Sequence, residues 1–467
     1  MPASMRSVEL VEPDGPDVRA GRPDHRRTYR RIAIALAVVM LGVAVVAQRR
    51  ADAHADARDE HLASIDGLIA APHLPLRARW TLAHPDASVV YGRAADGVLL
   101  GGSSVDGNVE LHGVDAATGA VLWRTPVDVP VDQTLWAWCD PLRTSADVEL
   151  AVCTAGPDAP AAAVALASRT LWTVVPRTGR ILTTMQVRGD ATVLVTSSEL
   201  VVADNPSHGR WRVRSLDPST GSPRWTFAPE VGARSDQLVQ PQLIDDGDDR
   251  VLASLSNHVW LLDPKGQPLV DRATPDGTWW TALRPGSSVG RTLARRGDSS
   301  GITLLPEGRT TEVAEPAVPV HPDDGSAPGV VFTSGPRGHQ ALVARSSSTG
   351  EQQWRSPENA LTALVLDGTL YIGTPTGLVA LDASTGEVRW RRDVGQAVDE
   401  MTTDGTDLLV VSPPTTVTAY ALSDGHPAWT ADVADAVGAS TVATIGFAPG
   451  ARGIVAWDAT GAATILD

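Results

Sequence analysis

The sequence predicts an all-β protein whose main part is a β-propeller of four-stranded blades, with eight blades preferred and nine allowed. An eleven-residue string containing an Asp, a Thr-Gly pair and a Trp recurs along the chain, and its clearest copy is ALDASTGEVRW at 380–390. Aligned on the turn Gly, the copies and their weaker relatives place Gly119, Gly179, Gly221, Gly266, Gly308, Gly350, Gly386 and Gly425 at successive spacings of 60, 42, 45, 42, 42, 36 and 39 residues. A period of about 40–45 residues is typical of a propeller blade. The 42 Gly and 34 Pro lie between short apolar runs, as expected for many strands joined by turns.

The N-terminal part precedes the repeats. Residues 1–28 are rich in Pro, Gly, Asp and Arg without apolar periodicity, so we predict a disordered cytoplasmic tail. The uncharged apolar run Ile32–Ala47, extended by flanking residues that can snorkel, predicts a transmembrane signal anchor at 29–50. Arginines are concentrated before the run, whereas those after it are mixed with acids. The positive-inside rule therefore predicts a cytoplasmic N-terminus and an extracytoplasmic remainder at the cell membrane.

Two alternatives remain open for the apolar run. It could be a buried core helix, or the apolar part of a signal peptide cleaved near Ala47, which would release a secreted protein. No Cys follows the run closely, which argues against a lipid anchor. Residues 51–75, rich in Ala, Asp and Leu, predict a helical stalk or linker, and 76–467 predict the extracytoplasmic propeller.

One repeat contains all four strands of a blade. Between 361 and 394 the runs LTALVLD, TLYIGTP, GLVALD and EVRWRRDV alternate in polarity and are separated by turn residues. The related strings are GVDAATGAVLW, SLDPSTGSPRW and ARSSSTGEQQW, with a degraded copy, AYALSDGHPAW, near the C-terminus.

Each part of the string has a predicted structural role. The Gly supplies the positive φ of a tight turn, and the Asp before it bonds the N–H groups of that turn. The Trp four residues later lies on the last strand, where its ring can cover the seam with the next blade. The predicted turn glycines are Gly119, Gly221, Gly350, Gly386 and Gly425. The predicted docking tryptophans are Trp80, Trp123, Trp225, Trp354, Trp390 and Trp429.

The two chain ends predict how the ring closes. The C-terminal segment RGIVAWDATGAATILD reads as two strands and stops where a Trp-bearing strand would follow. RARWTL around Trp80 reads as that missing strand, without a turn before it. One blade built from both termini would close the ring and remove its exposed edges.

The amino-acid composition limits the classes of function that this chain can have. A net charge of −16 argues against nucleic-acid binding, because phosphate binding needs a basic face. Usage of 14 Trp against 3 Phe and 4 Tyr indicates a repeated structural position for Trp.

The pattern A-x-D-x-x-T-G-x-x-x-W resembles the tryptophan-docking repeat of the PQQ-like propellers. That family includes quinoprotein alcohol dehydrogenases and the outer-membrane assembly lipoprotein BamB. The resemblance covers roughly 76–467, and Thr183, Val270 and Glu312 depart from it at Trp positions. It implies either scaffolding of envelope proteins or quinone-dependent oxidation. The dehydrogenases carry a disulfide between adjacent cysteines and an acidic calcium site, and no such constellation can be matched here.

Other candidate chemistry is weak. Gly286–Gly290 fits the nucleophile-elbow pattern GxSxG, but no helix is predicted after it. The acidic run Asp245–Asp249 lacks the spacing of an EF-hand, so we predict a solvated turn. The 11 His show no metal-binding spacing. We therefore predict no catalytic residue, no metal and no cofactor.

Cys139 and Cys153 lie on two successive predicted strands, TLWAWC and VELAVC. A hairpin would place them opposite each other, and an exported domain allows a disulfide to persist. The alternative is two free buried thiols.

The sequence thus predicts a membrane-anchored, extracytoplasmic propeller that binds an envelope protein or glycan without catalysing a reaction. A quinone- or sugar-dependent oxidoreductase is the alternative.

Overall fold

A computed structural model describes most of the chain beyond the N-terminal segment. The described residues are Met40, 48–50, 57–58, 60–62, 64–105, 108–128, 135–144, 148–157, 168–205, 211–229, 241–247, 249–255, 258–273, 278–284, 287–293, 300–304, 311–313, 315–335, 341–438 and 442–467.

The chain divides into two compact units, Met1–His61 and Leu62–Asp467. The predicted tail at 1–28 lies outside the described residues, as does the predicted anchor at 29–50 except for Met40 and 48–50. Among the residues that are described, none of the helices has the length and apolar character to cross a membrane.

The predicted helical stalk at 51–75 differs from the structure over its second half. Helical residues end at Ser64, and Gly67 follows with φ +95°, a conformation that commonly ends a helix. Leu68 and Ile69 are buried in the second compact unit, and Ile69 N–H donates to Thr403 O at 3.2 Å. Burial of these apolar side chains favours packing on the strands over an extended stalk.

The second unit consists almost entirely of strands. Apart from the helical residues Leu62 and Ser64 at its start, its described helices are a 3₁₀ turn (Asp86–Tyr91), α1 (Val433–Val437) and a second 3₁₀ turn (Pro449–Ala451). Its strands, in chain order, are β1 (Ala78–Leu82), β2 (Ala94–Ala95), β3 (Val98–Val105), β4 (Asn108–Asp115), β5 (Val121–Val127), β6 (Leu135–Arg143), β7 (Glu149–Pro157), β8 (Ser168–Val175), β9 (Arg180–Arg188), β10 (Thr192–Val195), β11 (Leu200–Asp204), β12 (Arg212–Leu216), β13 (Pro223–Phe227), β14 (Gln242–Gly247), β15 (Arg250–Leu255), β16 (His258–Leu262), β17 (Pro268–Ala273), β18 (Thr278–Arg284), β19 (Ser287–Leu293), β20 (Ser300–Leu304), β21 (Thr311–Val313), β22 (Val330–Ser334), β23 (Leu342–Ser346), β24 (Gln352–Ser356), β25 (Thr362–Leu366), β26 (Thr369–Gly373), β27 (Gly377–Asp382), β28 (Val388–Asp393), β29 (Met401–Thr403), β30 (Asp407–Ser412), β31 (Thr416–Ala421), β32 (Pro427–Asp432), β33 (Val442–Ala448), β34 (Gly453–Asp458) and β35 (Ala463–Leu466).

These strands form antiparallel sheets, which confirms the predicted all-β propeller. The described strands make eight separate sheets, the preferred blade count, but one sheet has eight strands and combines two units, β2–β5 and β6–β9. Counted as four-stranded units, with β22–β24 as a three-stranded one, the described strands give nine, the count that the sequence allowed.

The eight-stranded sheet arises because β2 is only two residues long and leaves part of β3 uncovered. There β6 pairs with β3, through Gly101↔Trp138 and Gly102↔Ala137. A Cβ at Gly102 would lie 2.7 Å from the Ala137 Cβ, so a glycine at this position permits the close approach.

One sheet joins the two ends of the chain. It has the order β1-β35-β34-β33, and Trp80 of β1 lies opposite Ile465 of β35. Arg77 N–H donates to Asp467 O at 3.0 Å, continuing the ladder. The predicted closing blade is therefore confirmed.

The core lies between neighbouring sheets. Strand β26 is buried along its whole length, whereas β28, at the edge of the same sheet, buries Trp390 and exposes Val388 and Arg389. Outer strands alternate in burial because only one of their faces meets the next sheet.

Candidate functional site

The repeated turn is held by its Asp. Asp382 Oδ1 accepts the N–H groups of Ser384 and Thr385, both at 3.0 Å. The Ser384 hydroxyl and the Arg389 guanidinium hold the pKa of Asp382 well below its usual range. Positive φ values are present at all five predicted turn glycines: 70° at Gly119, 71° at Gly221, 72° at Gly350, 74° at Gly386 and 68° at Gly425.

The tryptophans dock on the turn of the next unit. Five of the six predicted residues lie against a turn glycine there, where a Cβ would meet the indole ring at 2.4–2.6 Å. The pairs are Trp80 with Gly119, Trp123 with Gly179, Trp225 with Gly266, Trp354 with Gly386 and Trp390 with Gly425.

A hydrogen bond accompanies four of these five contacts. The indole Nε1 donates to the carbonyl three residues before the turn glycine. The bonds are Trp80 to Ala116 O at 3.2 Å, Trp123 to Pro176 O at 2.6 Å, Trp354 to Ala383 O at 3.0 Å and Trp390 to Leu422 O at 2.9 Å. Trp225 is different, because its buried Nε1 has no hydrogen-bond partner among the described residues.

At two of the positions that depart from the docking pattern, the structure shows what takes the place of the contact. Where Thr183 replaces the Trp, Met185 covers Gly221 of the next unit, at 3.2 Å from the Cβ position. Trp429 packs among apolar residues around β31 and β33, while the space at Gly461 of the closing unit is bordered by His84.

Cys139 and Cys153 lie directly opposite each other on β6 and β7 and are joined by a disulfide, with their Cα atoms 4.0 Å apart. Both are buried. This arrangement does not fit a quinoprotein site, where the resemblance implied adjacent cysteines above the cofactor. Within the described part of the chain, no group of three or more His, Cys, Asp or Glu could hold a metal ion.

Two other segments that were considered as candidate sites, Gly286–Gly290 and Asp245–Asp249, differ from the motifs they resemble. Ser287–Gly290 lie inside β19, so the GxSxG pattern makes no strand-to-helix turn there. The acidic run is not simply a solvated turn, because Asp246 is buried and pairs with Arg250 at 3.0 Å.

A cavity of about 810 Å³ is the candidate functional site. Its wall includes described residues from the first hairpin turns of three consecutive units, and we call it the hairpin cavity. These residues are 143, 144 and 149 in the first turn, 195–199 in the second, and 245 and 249 in the third. In an antiparallel four-stranded unit the first and third turns lie at the same end. Pro264, from a third turn, and Arg224, just after another, also line the cavity.

Hydrogen bonds connect the three hairpin turns. Arg143 N–H donates to Ser197 O at 2.7 Å, and the Ser198 hydroxyl donates to Asp249 Oδ1. Within the middle turn, Thr196 Oγ1 accepts the Glu199 N–H at 2.9 Å. The wall of the cavity is therefore built from mutually bonded turns.

Some charged side chains of the cavity wall form ion pairs with described residues, and others do not. Arg93 pairs with Asp66, and Arg224 pairs with Asp217 at 3.3 Å. Glu149 and Glu199, in contrast, form no ion pair with a described residue. Arg143 and Arg224 also line the cavity, and the charge of Arg224 acts on Glu199, so the wall carries charges of both signs.

Glu199 is the most unusual of these side chains. It is 7% exposed, and its Oε2 has no hydrogen-bond partner among the described residues. Burial raises its pKa, while Trp225, Arg224 and Ser215 act in the opposite direction. A buried carboxyl with a shifted pKa in the wall of a cavity is a candidate for ligand binding.

Sequence reasoning did not find this site. Its residues come from turns about 50 residues apart, and only the acidic run had attracted notice. The sequence feature that could have indicated the site is the position of the three segments. Each lies between the first and second strands of its unit, and the three units are consecutive.

Comparison with known proteins identifies the repeat. The model of the family described as outer membrane protein assembly factor BamB matches residues 77–296 and 338–466, more than half of the chain. The predicted resemblance to PQQ-like propellers is thereby confirmed. No curated protein matches the sequence.

Several solved structures are similar in fold. BamB from Moraxella catarrhalis shows 13% identity and a TM-score of 0.40, covering 84% of this chain and 99% of its own. Quinohemoprotein alcohol dehydrogenase from Comamonas testosteroni shows 10% identity and a TM-score of 0.38, covering 84% of this chain and 76% of its own. Sqt1 from Saccharomyces cerevisiae shows 11% identity and a TM-score of 0.41, covering 86% and 98%.

Proposed function

This chain belongs to the family of outer membrane protein assembly factor BamB, and from that premise we propose that it is a non-catalytic scaffold of the cell envelope. In this proposal the helix at 29–50 anchors the protein in the membrane and the propeller lies outside the cytoplasm. The propeller binds a protein partner.

The hairpin cavity is the observation that carries this proposal. Its wall combines turns from three units that are bonded to one another, so it presents a fixed surface. Beside it Val148, an apolar side chain in the β6–β7 turn, is 51% exposed. Val148 is therefore an accessible position for a probe of binding near the cavity.

The membrane topology rests on the sequence. The arginine excess before Ile32 favours a cytoplasmic N-terminus. Protease added to intact spheroplasts should digest the propeller, while a cytoplasmic marker protein stays intact. Full protection of the propeller would contradict this topology.

Partner binding can be tested by photo-cross-linking of the full chain in its native membrane. A cross-linking amino acid at Val148 should capture one identifiable envelope protein. The matched control is Thr376, an exposed residue of a second-strand to third-strand turn, which lies at the other end of its unit. Equal capture from both positions, or none from Val148, would contradict binding at the hairpin cavity.

The oxidoreductase alternative gives the opposite result in a separate assay. Purified protein supplied with PQQ and calcium should not reduce a dye with alcohol or sugar substrates. Substrate-dependent reduction would replace the scaffold proposal with the enzyme.

A further inference from the structure

Arg169, at the start of β8, is a half-buried arginine that has no counterion among the described residues. We propose that Arg169 and Trp138 form a binding site for the carboxylate group of a ligand. The site lies at the end of its unit where the second strand turns into the third, whereas the hairpin cavity lies at the other end. The inference therefore goes beyond the proposed function and does not rest on it.

The hydrogen bonds of Arg169 leave part of its guanidinium unused. Nη1 donates to Ala191 O at 3.3 Å, and Nη2 donates to Thr154 Oγ1 at 3.5 Å. Both bonds are longer than the roughly 2.9–3.0 Å that is usual for N–H···O. Nε is buried and has no hydrogen-bond partner in the described part of the chain. A guanidinium has more N–H donors than these two bonds use, so donors remain for a ligand.

The charge of Arg169 is also uncompensated. Burial lowers its pKa, and no charged neighbour contributes to the shift. Burial lowers the pKa of Arg79 as well, but Arg79 donates to Ala451 O at 2.6 Å and to Ala116 O at 3.0 Å, and the charge of Asp467 opposes the shift. A buried cation without a counterion is costly. Arg169 therefore gains more from an incoming anion than Arg79 does.

The carboxylates nearest to this region are bound to other arginines. Asp190 accepts from Arg188 at 2.9 Å, and Arg188 lies opposite Ser168 in the β8–β9 pair. Asp204 is buried and pairs with Arg212 at 3.0 Å and Arg214 at 2.7 Å. These pairs contain three arginines and two carboxylates, so they add no excess negative charge that would repel a carboxylate ligand.

Trp138 supplies the second part of the site. It is 45% exposed on β6, and the Arg169 Cζ lies 5.7 Å from the centre of its ring. Stacking on an indole holds a guanidinium in a defined orientation. The exposed part of the ring offers an apolar surface to the group that carries the carboxylate. Asp140, also on β6, has its pKa raised by burial, and the cation that acts on it is Arg93 rather than Arg169.

The single free charge favours a carboxylate over a phosphate. One guanidinium neutralises one carboxylate, and its planar donors match the two oxygens of that group. A phosphate dianion would need a second cation, and Arg188, Arg212 and Arg214 already bind carboxylates. The site therefore matches a ligand that joins one carboxylate to an apolar group.

The test is isothermal titration calorimetry of the purified full-length chain with capped peptides that carry one central residue in a Gly/Ser frame. We expect the glutamate peptide to bind, and the glutamine peptide to bind at least about tenfold more weakly, because the charge-assisted hydrogen bonds are lost. Arg169→Gln should weaken the glutamate peptide by about tenfold or more. Arg169→Lys, which keeps the charge and loses the planar fork, should bind with an intermediate affinity.

Two further variants locate the site. Trp138→Ala should weaken the glutamate peptide, because it removes the stacking surface of Arg169. Arg355→Gln, which removes an exposed arginine from β24 of a distant unit, should leave binding unchanged. Thermal unfolding of each variant shows that it is folded. If Arg169→Gln does not fold, Arg169→Lys and Trp138→Ala still give the result.

The source of the carboxylate is distinguished by two more probes. A peptide with a free C-terminal carboxylate and neutral side chains compares a chain end with an acidic side chain, and propionate represents a free small acid. Tighter binding of either peptide than of propionate would support a protein ligand, and equal binding of propionate would support a small acid.

Several results would overturn the inference. These are no binding of any carboxylate probe, equal binding of the glutamate and glutamine peptides, or full binding of the glutamate peptide by Arg169→Gln. Tighter binding of inorganic phosphate than of every carboxylate probe would also overturn it, because one free guanidinium would then not determine the ligand. Cross-linking from Val148 tests the scaffold at the other end of the unit, so either proposal can fail without the other.

Discussion

The indole Nε1 of Trp390 donates a hydrogen bond to the carbonyl of Leu422 in the next unit, at a distance of 2.9 Å. The same ring lies on Gly425, where a Cβ would approach it to 2.5 Å. One side chain therefore fills the seam between two sheets and also satisfies a carbonyl of the turn. The same bond is made by Trp80, Trp123 and Trp354, so it is a recurring link between neighbouring units.

Replacement of Trp390 should destabilise the propeller strongly. Trp390 is 9% exposed, and Trp390→Ala should lower the free energy of unfolding by about 3–5 kcal/mol, as for other buried tryptophans. Trp390→Phe should cost less, because it keeps an aromatic ring and loses the hydrogen bond, which contributes about 1 kcal/mol. Chemical denaturation measures both values.

The matched control for this series is Trp138→Ala, since Trp138 is 45% exposed on β6. We expect a clearly smaller loss of stability there. If the Trp390 and Trp138 variants unfolded at the same denaturant concentration, the docking role of Trp390 would be refuted.

The turn glycines should be sensitive for two separable reasons. Gly425→Ala introduces a side chain at φ +68° and also drives its Cβ into Trp390. Gly368→Ala meets the same backbone strain at φ +69°, but it has no atom within 4 Å. We expect Gly368→Ala to cost about 1–2 kcal/mol and Gly425→Ala about 1–3 kcal/mol more. Equal losses would show that the tryptophan moves aside freely.

The sequence was sufficient to predict the repeat and its closure. Both features follow from local sequence. At each copy, the Asp-Thr-Gly segment indicates a tight turn, and the Trp that follows indicates the last strand of a unit. Trp80 could be assigned to the closing strand because it completes a pattern that the C-terminus leaves unfinished. The structure adds the acceptor of each indole, which lies in the next repeat and depends on how two sheets pack.

The hairpin cavity could not be predicted in the same way. Glu199 is an ordinary turn residue in sequence, and its burial follows from Trp225 and Ser215 of its own unit and from turns of the neighbouring units. The joining of β3 to β6 was also unpredicted, because it depends on β2 being only two residues long. Both features are consequences of tertiary packing, which single-residue patterns do not encode.

The bond between Cys139 and Cys153 should stabilise the unit formed by β6–β9. The cysteines are 14 residues apart, and closing a loop of this length contributes about 3 kcal/mol in the chain-entropy model. Reductant should lower the stability of the wild type and leave a Cys139→Ala/Cys153→Ala double variant unaffected. Mass spectrometry after alkylation without reductant checks the bond itself, and two fully alkylated cysteines would disprove it.

Glu199 should make the stability of the propeller depend on pH in a defined direction. Burial raises its pKa in the folded state above the value of about 4.3 expected in the unfolded chain. Between the unfolded and the folded pKa values, the folded state keeps the proton on Glu199 that the unfolded state has lost. The contribution of Glu199 to stability therefore falls as the pH rises through the interval, and it stays at its lower level once the folded carboxyl has ionised.

Glu199→Gln should remove this contribution, because glutamine does not titrate. We expect the variant to match or exceed the wild type in stability at pH 7, and the difference between them to narrow as the pH falls toward 4.5. Urea denaturation at intervals between these pH values measures the effect, with Glu387→Gln as the control for loss of an exposed carboxylate. A variant that is less stable than the wild type by the same amount at every pH would mean that Glu199 acts through packing or hydrogen bonding alone. In that case the pKa of Glu199 would not differ between the folded and unfolded states.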